Sequence, residues 1–248
     1  MLAKKRHSAI LAYLSRQGTA TIAELCDLLD ISESTIRRDI IELDRLGLLN
    51  KVFGGATAID EGYRTEMPSP IEDNHYTKNK AVIAEKAASL IQENDFVYID
   101  AGSTTAMMLE FITVRRAIFV TNGLRAASGL AQRGYNVSVI AGQIRSTAGA
   151  IVGTEAVYCL ERYNFNVGFF GTNGISIQNG YTNTDISESR TKTAAMARCQ
   201  RRYVLADHHK FSSNYRVTFA KLSDAALITD QVPDPEYYRH MQIFLAER

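Results

Sequence analysis

The stretch ISESTIRRDIIELDRLGLLNKVFGGA, residues 31–56, places two adjacent arginines near the start of a predicted helix. Ile36, Ile40 and Leu43 recur at helical spacing, and Ser32 before them is a favourable N-cap. With those three apolar side chains buried, the arginines lie on the remaining faces. The stretch therefore predicts a helix that buries one apolar stripe and presents basic side chains to a partner.

Two shorter helical patterns precede this helix, and a hairpin follows it. Residues 4–17 form the first pattern, and a capping box of Thr21 and Glu24 opens the second. After a glycine that ends the third helix, residues 48–53 are predicted to form a strand and Gly54-Gly55 a turn. Three short helices followed by a hairpin are typical of a winged helix-turn-helix, in which the third helix enters the major groove of DNA.

The chemistry of this third helix suits a polyanion. The planar fork of arginine can bond both acceptors of a guanine, and hydroxyls near a helix N-terminus can donate to phosphates. An arginine pair on a helix can instead form surface ion pairs, here Arg38 with Glu42, but the capped helix and basic hairpin around it favour DNA. Lys4, Lys5 and Arg6 can add contacts to the phosphate backbone. The candidate DNA-binding residues are Ser32, Ser34, Thr35, Arg37, Arg38 and Lys51.

Bulk composition constrains the remaining possibilities. The 248 residues carry a formal net charge of +1, so any basic site must be a local pattern. Three widely spaced cysteines without a C-x-x-C motif argue against a disulfide framework or a cysteine zinc site. The N-terminal residues are basic and then apolar, as in a signal peptide, but Arg16 interrupts the apolar run and argues against one. No stretch reaches the roughly 20 apolar residues of a membrane span. We therefore expect a cytoplasmic protein that has no membrane partner.

The rest of the chain is predicted to form a linker and a second domain. Residues 57–79 are polar, contain glycine and proline, and read as a linker after a DNA-binding domain of residues 1–56. From residue 80 to residue 248, short apolar strands alternate with amphipathic helices, which predicts a mostly parallel sheet covered on both faces. Helices are expected at 80–92, 104–112, 124–133 and 185–199, and strands at 96–100, 117–121, 137–141, 166–171, 203–207 and 225–230. The predicted fold class is α/β, with the winged helix-turn-helix preceding the larger, mostly parallel α/β domain.

The segment YIDAGSTTAMML, residues 98–109, joins a predicted strand to a predicted helix through a glycine and three hydroxyls. Free N–H groups and the helix dipole at such a junction can bind a phosphate, and ligands of parallel sheets bind at the carboxyl ends of strands. Neither G-x-G-x-x-G nor G-x-x-x-x-G-K-[ST] is present, so neither a dinucleotide nor ATP is predicted. Simple N-capping by Ser103 or Thr104 accounts for the pattern equally well.

Polar residues also follow the other predicted strands, and together they suit a phosphorylated polyol or sugar. Glu188 and Lys192, at i,i+4, are interpreted as a solvated helix pair. His208-His209 would point opposite ways in an extended chain and lack a third ligand at useful spacing, so no metal and no cofactor are predicted. The candidate effector-binding residues are Asp100, Gly102, Ser103, Thr104, Thr105, Thr121, Asn122, Gly142, Arg145, Gly171, Asn173, Gly174, Thr182, Asp207 and Lys210.

The N-terminal motif, R-x-x-x-I-L-x-x-L followed by I-x-E-L-x-x-L-x-I-S-x-x-T-I-R-R-D-I-x-x-L-D-x-x-G-L-L-x-K-V-x-G-G-A, closely resembles the DNA-binding domain of the DeoR family of bacterial transcriptional regulators. The resemblance implies operator binding, with Thr35, Arg37 and Arg38 at the DNA. The motifs I-D-x-G-S-T-T, V-T-N, F-F-G-x-x-G-I, E-x-x-x-K and L-A-D-x-x-K-F resemble the effector domain of the same family. That domain resembles the folds of ribose-5-phosphate isomerase and glucosamine-6-phosphate deaminase, and it senses phosphorylated sugars or related metabolites.

The chain departs from the family pattern at two places near the expected pocket. Family members usually have a glycine pair where this chain has Ala141-Gly142, and small hydroxyl residues where it has His208-His209. Both departures lie where the effector is expected, so they bear on which effector is bound.

These observations favour a repressor of a sugar-metabolism operon that is controlled by a phosphorylated sugar. The alternative is a sugar-phosphate isomerase or deaminase with Asp100, Glu188 or Asp207 as general base. The basic helix discriminates between the two, because a metabolic isomerase has no need of it. A weaker hypothesis gives the second domain a role in assembly alone. Since one winged helix reads only a few base pairs, we expect a homo-oligomer, a dimer or a tetramer.

Overall fold

The computed structural model describes residues 3–45, 48–57, 77–145 and 149–247. The chain divides into two compact units, residues 1–69 and residues 70–248. In the part of the chain that is described, no helix is both long enough and apolar enough to span a bilayer.

The first unit contains three helices and a small antiparallel sheet. Strand β3 lies in the middle of the sheet, between β1 and β2. The helices bury one stripe each around Ile10, Leu25 and Ile36, all of which are fully buried. The helices are α1 (Ala3–Gln17), α2 (Ile22–Leu29) and α3 (Glu33–Arg45), and the strands are β1 (Thr19–Thr21), β2 (Asn50–Val52) and β3 (Gly55–Thr57).

Local interactions fix where these elements begin and end. The capping box predicted at the start of α2 is confirmed: the Glu24 carboxylate accepts the Thr21 N–H at 2.7 Å, and the Thr21 hydroxyl accepts the Glu24 N–H at 3.2 Å. Asp30, with φ of +51°, ends α2. Strand β1 was not predicted, because its partner β3 is distant in sequence. The predicted strand 48–53 is shorter than expected, and the glycine stop expected at residue 47 lies outside the described residues.

The second unit contains five α-helices among its described residues. They are α4 (Thr77–Ala88), α5 (Ser103–Met107), α6 (Leu124–Gln132), α7 (Thr154–Leu160) and α8 (Ile186–Ala197). Its strands are β4 (Phe96–Ile99), β5 (Ile118–Thr121), β6 (Asn136–Val139), β7 (Gln143–Arg145), β8 (Ala150–Val152), β9 (Phe165–Gly171), β10 (Gly174–Ser176), β11 (Gly180–Asn183), β12 (Cys199–Leu205), β13 (Val217–Ala220), β14 (Ala226–Thr229) and β15 (Ile243–Leu245).

Seven of these strands form one parallel sheet in the order β15-β14-β12-β9-β4-β5-β6. Both faces of the sheet are covered, since Val97 and Ile99 of β4 belong to one apolar cluster and Tyr98 belongs to the other. The strand order reverses between β4 and β9. In open parallel sheets a ligand binds at the carboxyl ends of the strands at such a switch point.

The predicted α/β fold class, with its N-terminal winged helix-turn-helix, is confirmed. Sequence patterns missed the short antiparallel pieces, namely the β7–β8 pair and the three-stranded sheet β10-β11-β13, because strands of three and four residues are too short to show a clear alternation. Helix α7 and strand β15 were also missed. The linker predicted at 57–79 lies mostly outside the described residues; Thr57 ends β3, and α4 begins at Thr77.

Candidate functional site

The N-terminus of α3 is an exposed cluster of hydroxyls. The Ser32 carbonyl accepts the N–H groups of Thr35 at 3.0 Å and Ile36 at 3.1 Å, which starts the helix. The Ser32 hydroxyl lies 3.2 Å from that of Ser34 and 3.0 Å from that of Thr35. Ser32 and Ser34 are exposed and Thr35 is half-buried, so these hydroxyls face solvent at the end of the helix that carries the arginines.

Arg37 and Arg38 are both exposed on the first turns of α3. The sequence raises the alternative of a surface ion pair for Arg38 with Glu42. The i,i+4 pair on these turns instead joins the Arg37 Nη2 to the Glu33 carboxylate at 2.5 Å, and both side chains are 59% exposed. An ion pair this open to water holds its partners weakly. Arg37 must release Glu33 to contact DNA, whereas Arg38 requires no such exchange.

Helix α1 is fastened to the buried side of α3 by charge. The Arg6 guanidinium bonds Asp39 through two nitrogens at 2.7 and 2.8 Å, and His7 Nε2 lies 3.1 Å from the same carboxylate. Burial opposes ionisation of Asp39, but the hydrogen bonds from Arg6 and His7 prevail and lower its pKa. Arg6 was expected to contact phosphates. In the structure its guanidinium is bonded to Asp39 and thereby links α1 to α3.

The hairpin after α3 is attached to that helix at its base. The Lys51 N–H donates to the Asp44 carboxylate at 2.7 Å, while the Lys51 side chain is exposed as expected. The tip is a two-residue turn of Phe53 and Gly54, since Val52 pairs with Gly55. Gly54 has φ of +82°, a conformation that favours glycine.

In the second unit, Asp100 lies at the switch point of the sheet and is almost completely buried. Its Oδ2 accepts the Gly171 N–H, at the end of β9, at 3.0 Å and also binds the Lys192 ammonium of α8. Its Oδ1 accepts the Ala101 N–H at 2.8 Å. One carboxylate therefore joins the ends of β4 and β9 to helix α8.

The interpretation of Glu188 and Lys192 as a solvated helix pair is wrong. Lys192 is 6% exposed, and besides Asp100 it bonds the Gly171 carbonyl at 2.9 Å. Glu188 is partly buried and accepts a hydrogen bond from Asn183 at 3.3 Å. Burial raises the pKa of Glu188, and the nearby Lys192 only partly offsets this. Helix α8 thus directs one acid and one base toward the strand ends.

A second buried cation, Lys80 of α4, was missed by the sequence interpretation. It is 4% exposed, and its ammonium donates to the Ser103 hydroxyl at 3.1 Å, at the first residue of α5. The pKa of Lys80 is lowered to about 8, mainly by burial and in smaller part by Lys210, while Asp207 opposes the shift. Lys80 directly follows the predicted linker, and nothing in the sequence around it indicates that the side chain is buried. Lys80, Ser103, Asp207 and Lys210 form what we call the cationic cluster.

Asp207 is the acceptor within the cationic cluster. It is 1% exposed, and its Oδ1 accepts the His209 N–H at 3.1 Å, while its Oδ2 is buried without a hydrogen-bond partner in the described residues. A buried carboxylate oxygen without a donor is costly, so such an atom is a natural acceptor for a ligand hydroxyl.

Several other predicted effector residues direct their polar groups into the protein. The Thr105 hydroxyl bonds the carbonyl of Asp100 at 2.7 Å, and the Thr121 hydroxyl accepts the Gly123 N–H at 2.9 Å. Asn122 accepts the Ala101 N–H at 3.0 Å and donates to the Ile151 carbonyl at 3.2 Å. These hydrogen bonds connect the three side chains to the loops after β4 and β5. Thr104 is buried beside them.

Three of the predicted glycines, and two predicted residues in or beside the sheet β10-β11-β13, also have roles in packing. A side chain at Gly142, whose φ is +143°, would lie 2.7 Å from the Val152 carbonyl. One at Gly174 would lie 2.2 Å from the Ser213 carbonyl, and one at Gly102 would lie 2.9 Å from the Thr105 hydroxyl. The Thr182 hydroxyl accepts the Tyr215 N–H at 3.1 Å, and the Asn173 N–H donates to the Thr182 carbonyl at 3.1 Å.

Arg145 and the histidine pair flank this region. Arg145 forms an ion pair with Asp185 and lies 3.9 Å from the Glu188 carboxylate. His208 and His209 do not point opposite ways, as expected of an extended chain, because residues 208–210 form a 3-10 turn that brings their rings 3.8 Å apart. His208 Nδ1 lies 2.6 Å from Asp230. Among the described residues, no group of three or more His, Cys, Asp or Glu side chains is placed to hold a metal ion.

Comparison with known proteins agrees with this two-part organisation. The family model described as a DeoR-like helix-turn-helix domain matches residues 6–62, and that described as a DeoR C terminal sensor domain matches residues 75–231. The chain belongs to the DeoR family. Among curated DeoR-type relatives, the uncharacterized HTH-type transcriptional regulator FruR of Bacillus subtilis (strain 168) is 35% identical over 230 residues, 92% of this chain and 91% of that protein. A lactose phosphotransferase system repressor of Streptococcus mutans is 30% identical over 234 residues, 93% of each chain.

Solved structures similar to this DeoR family member are more distant. The ribose 5-phosphate isomerase of Methanocaldococcus jannaschii has 13% sequence identity and a TM-score of 0.41, with 55% of each chain covered. The translation initiation factor eIF-2B of Pyrococcus horikoshii OT3 has 15% identity and a TM-score of 0.45, covering 89% of this chain and 77% of that one. Family and relatives are transcriptional regulators, so the predicted family and the interpretation as a regulator rather than an enzyme are confirmed.

Proposed function

We propose that this protein is a repressor of a sugar-metabolism operon whose affinity for its operator is set by a phosphorylated sugar. Helix α3 binds the major groove through Arg37, Arg38 and the hydroxyls of Ser32, Ser34 and Thr35, and Lys51 contacts the phosphate backbone. Because operator DNA lies in the bacterial cytoplasm, the protein acts there.

The observation that carries the effector proposal is the cationic cluster beside the switch point of the sheet. A phosphate seated at Ser103 meets the Lys80 ammonium, 3.1 Å from that hydroxyl, and Lys210 adds a second positive charge close enough to lower the pKa of Lys80. A buried ammonium group with a half-buried one nearby favours an anion. The free Oδ2 of Asp207 then accepts a hydroxyl of the sugar.

The remaining predicted residues enter the proposal in two groups. Asp100, Gly102, Gly171 and Asn173 line the strand ends beside the cluster, with Arg145 and Glu188 nearby for hydroxyls at the far end of a sugar. Thr104, Thr105, Thr121, Asn122, Gly142, Gly174 and Thr182 shape the surrounding loops, consistent with their internal hydrogen bonds and close packing.

A thermal-shift screen of the full chain against sugar phosphates tests the effector proposal. A ligand at 100 times its Kd should stabilise the protein by about 2.7 kcal/mol, and the same sugars without phosphate serve as controls. A protein that responds equally to both sets does not depend on phosphate, which would contradict the proposal.

The variant Ser103→Glu locates the phosphate. Its carboxylate would lie where the anion binds, so the response to the sugar phosphate found in the screen should disappear, whereas Ser128→Glu on the exposed face of α6 should leave it intact. If the carboxylate instead imitates the phosphate, operator affinity without effector shifts, and gel shifts detect this. An unchanged response at unchanged concentration would show that the phosphate binds elsewhere.

We also propose that the functional species is a homo-oligomer, a dimer or a tetramer. One recognition helix reads few base pairs, and two half-sites related by symmetry supply the missing specificity. Light scattering of the free protein and of its operator complex measures the number of subunits. A monomer that binds one operator specifically would contradict this part of the proposal.

A further inference from the structure

The tip of the hairpin between β2 and β3 exposes an aromatic side chain that the binding of α3 to DNA does not explain. Phe53 has a relative exposure of 108%, so its ring packs against none of the described residues, and the adjacent Val52 is 44% exposed. Keeping the apolar area of a phenylalanine ring in water costs about 25 cal/mol per Å² relative to burying it. Burial against a partner recovers this free energy.

The turn that carries Phe53 is built to hold the ring outward. Gly54 takes the positive φ required at the third position of a type II turn, so Phe53 occupies the second position, at the apex. Gly55 approaches β1 so closely that a side chain there would lie 2.1 Å from the Ala20 carbonyl. The hairpin therefore packs against β1 at Gly55, while the ring of Phe53 on the adjacent turn is fully exposed.

Backbone contacts place this tip beside the first helix of the helix-turn-helix. The Gly54 carbonyl accepts the N–H of Ile22, the first residue of α2, at 2.9 Å. In helix-turn-helix proteins the first helix crosses the DNA backbone while the second enters the major groove. A tip that lies next to the N-terminus of α2 therefore reaches the far side of that backbone, where the minor groove begins.

Charges of both signs lie near the hairpin tip and the start of α2, and this determines which kind of contact with DNA is favoured. Lys51 supplies one cation at the base of the tip, and Glu24 supplies one carboxylate at the start of α2. Lys51 supplies one phosphate contact here, which the carboxylate of Glu24 partly offsets, and the apolar ring adds a contact that does not depend on charge. Minor-groove proteins insert apolar side chains, phenylalanine among them, between base steps and kink the duplex by about 20–90°.

From this placement we propose that Phe53 is an apolar wedge that enters the minor groove beside the major-groove contact of α3 and unstacks one base step of the operator. The inference rests on the proposed operator binding and adds to it a bend in the DNA. Flexible pyrimidine–purine steps such as TA and CA at the flank of each half-site should then be preferred, although no side chain reads their edges.

The test uses the full-length protein and a duplex that the wild-type chain selects from a randomised library. Donor and acceptor dyes at the duplex ends report the bend, and 2-aminopurine at the flanking step reports unstacking. Phe53→Ala should lower affinity about 10-fold, which corresponds to about 1.4 kcal/mol, and should abolish both the bend and the 2-aminopurine signal. Phe53→Leu, which keeps an apolar wedge, should retain most of each.

Two controls separate the wedge from other roles of an exposed ring. Tyr238→Ala removes a different exposed aromatic ring, 51% exposed in the second unit, and should change nothing. Lys51→Ala should flatten the salt dependence of binding by about one unit of slope, whereas Phe53→Ala should leave that slope unchanged because no phosphate contact is lost. Both hairpin variants should unfold at the wild-type temperature.

Three results would overturn the inference. Unchanged affinity and bend in Phe53→Ala would show that the ring does not enter the DNA. Loss of subunits in light scattering, without loss of bending per bound complex, would make the ring a contact between copies of the chain. A wild-type protein that selects no duplex would instead refute the proposed operator binding itself, and the two failures are therefore distinguishable.

Discussion

The two units of this molecule use positive charge in opposite ways. In the first, Arg37 and Arg38 stand exposed on α3, and the one carboxylate that holds Arg37 is equally exposed. In the second, Lys80 and Lys192 are 4% and 6% exposed and are bonded to Ser103 and Asp100. The proposed partners would account for the difference: DNA brings its own dense charge to a surface, whereas a small anion would be held by cations already removed from water.

The largest effect is expected where a buried cation is removed. Lys192→Met leaves the Asp100 carboxylate buried without its counter-charge, which should lower the free energy of unfolding by about 3–5 kcal/mol. Lys86→Met, which removes an exposed lysine of α4, is the matched control and should change stability by less than about 0.5 kcal/mol. Urea denaturation measures both. Equal losses of unfolding free energy in the two variants would contradict the comparison between the units, because burial would then not determine the cost of removing a lysine.

The exposed arginines should affect binding and not folding. Arg38→Ala should weaken operator binding by about 1–3 kcal/mol if the side chain bonds a guanine, and should relax specificity at one base pair. If Arg38 contacts only phosphate, all sequences should weaken alike. Gel shifts on the selected and scrambled duplexes distinguish these outcomes, with Arg37→Ala measured in parallel. Full affinity in both variants would show that α3 does not contact the DNA.

The pH dependence of effector binding sharpens the role of Lys80. Because its pKa is lowered to about 8, the free protein loses this charge as pH rises through 8. A phosphate binds the charged form, so affinity should be level near pH 7 and should fall by up to tenfold, about 1.4 kcal/mol, for each pH unit above 8. Isothermal titration from pH 7 to pH 9.5, with the sugar phosphate found by the screen, measures this.

Lys80→Arg is the matched control for that titration. Arginine stays charged throughout the range, so this variant should bind without the fall above pH 8. A wild-type profile that stays level to pH 9.5 would show that Lys80 does not meet the phosphate, whatever its burial.

The smallest effect belongs to the exposed pair. Glu33→Ala removes an i,i+4 ion pair that contributes about 0.3–0.5 kcal/mol in general, so stability should barely change. Operator affinity should rise slightly, because Arg37 no longer has to leave Glu33 and one negative charge near the DNA is gone. Thermal unfolding and gel shifts measure the two quantities. A marked loss of stability would mean that this open pair behaves like the buried ones.

Sequence alone predicted the first unit more completely than the second. The capping box at Thr21, the N-cap at Ser32 and the stripe through Ile36 are local signals, and each is found where expected. Strand β1 escaped prediction because its three residues acquire their conformation only by pairing with β3, more than 30 residues later.

In the second unit the parallel strands were predictable because their continuous apolar runs are distinctive. The chemistry at their ends was predictable only in part. Ser103 and Asp207 follow strands and were expected, whereas Lys80 and Lys192 lie on helices, where lysine is usually solvated. Nothing local to Lys192 reveals that Asp100, 92 residues earlier, is its partner. Hydroxyls such as Thr105 were predicted to bind a ligand because their backbone partners are equally invisible in a sequence.

The long separation in sequence between Asp100 and Lys192 has a consequence for how the protein folds. Joining Asp100 to Lys192 closes a loop of 92 residues, and the Gly171–Asp100 bond closes one of 71. Contacts this distant in sequence form late, because the entropy of closing the loops is lost before the contacts compensate for it. The contact between Asp100 and Lys192 at the switch point is therefore absent until α8 has docked on the sheet. The proposed effector, which would bind at these strand ends, would stabilise only chains that have finished folding, so its concentration would affect how much folded protein accumulates as well as the affinity for the operator.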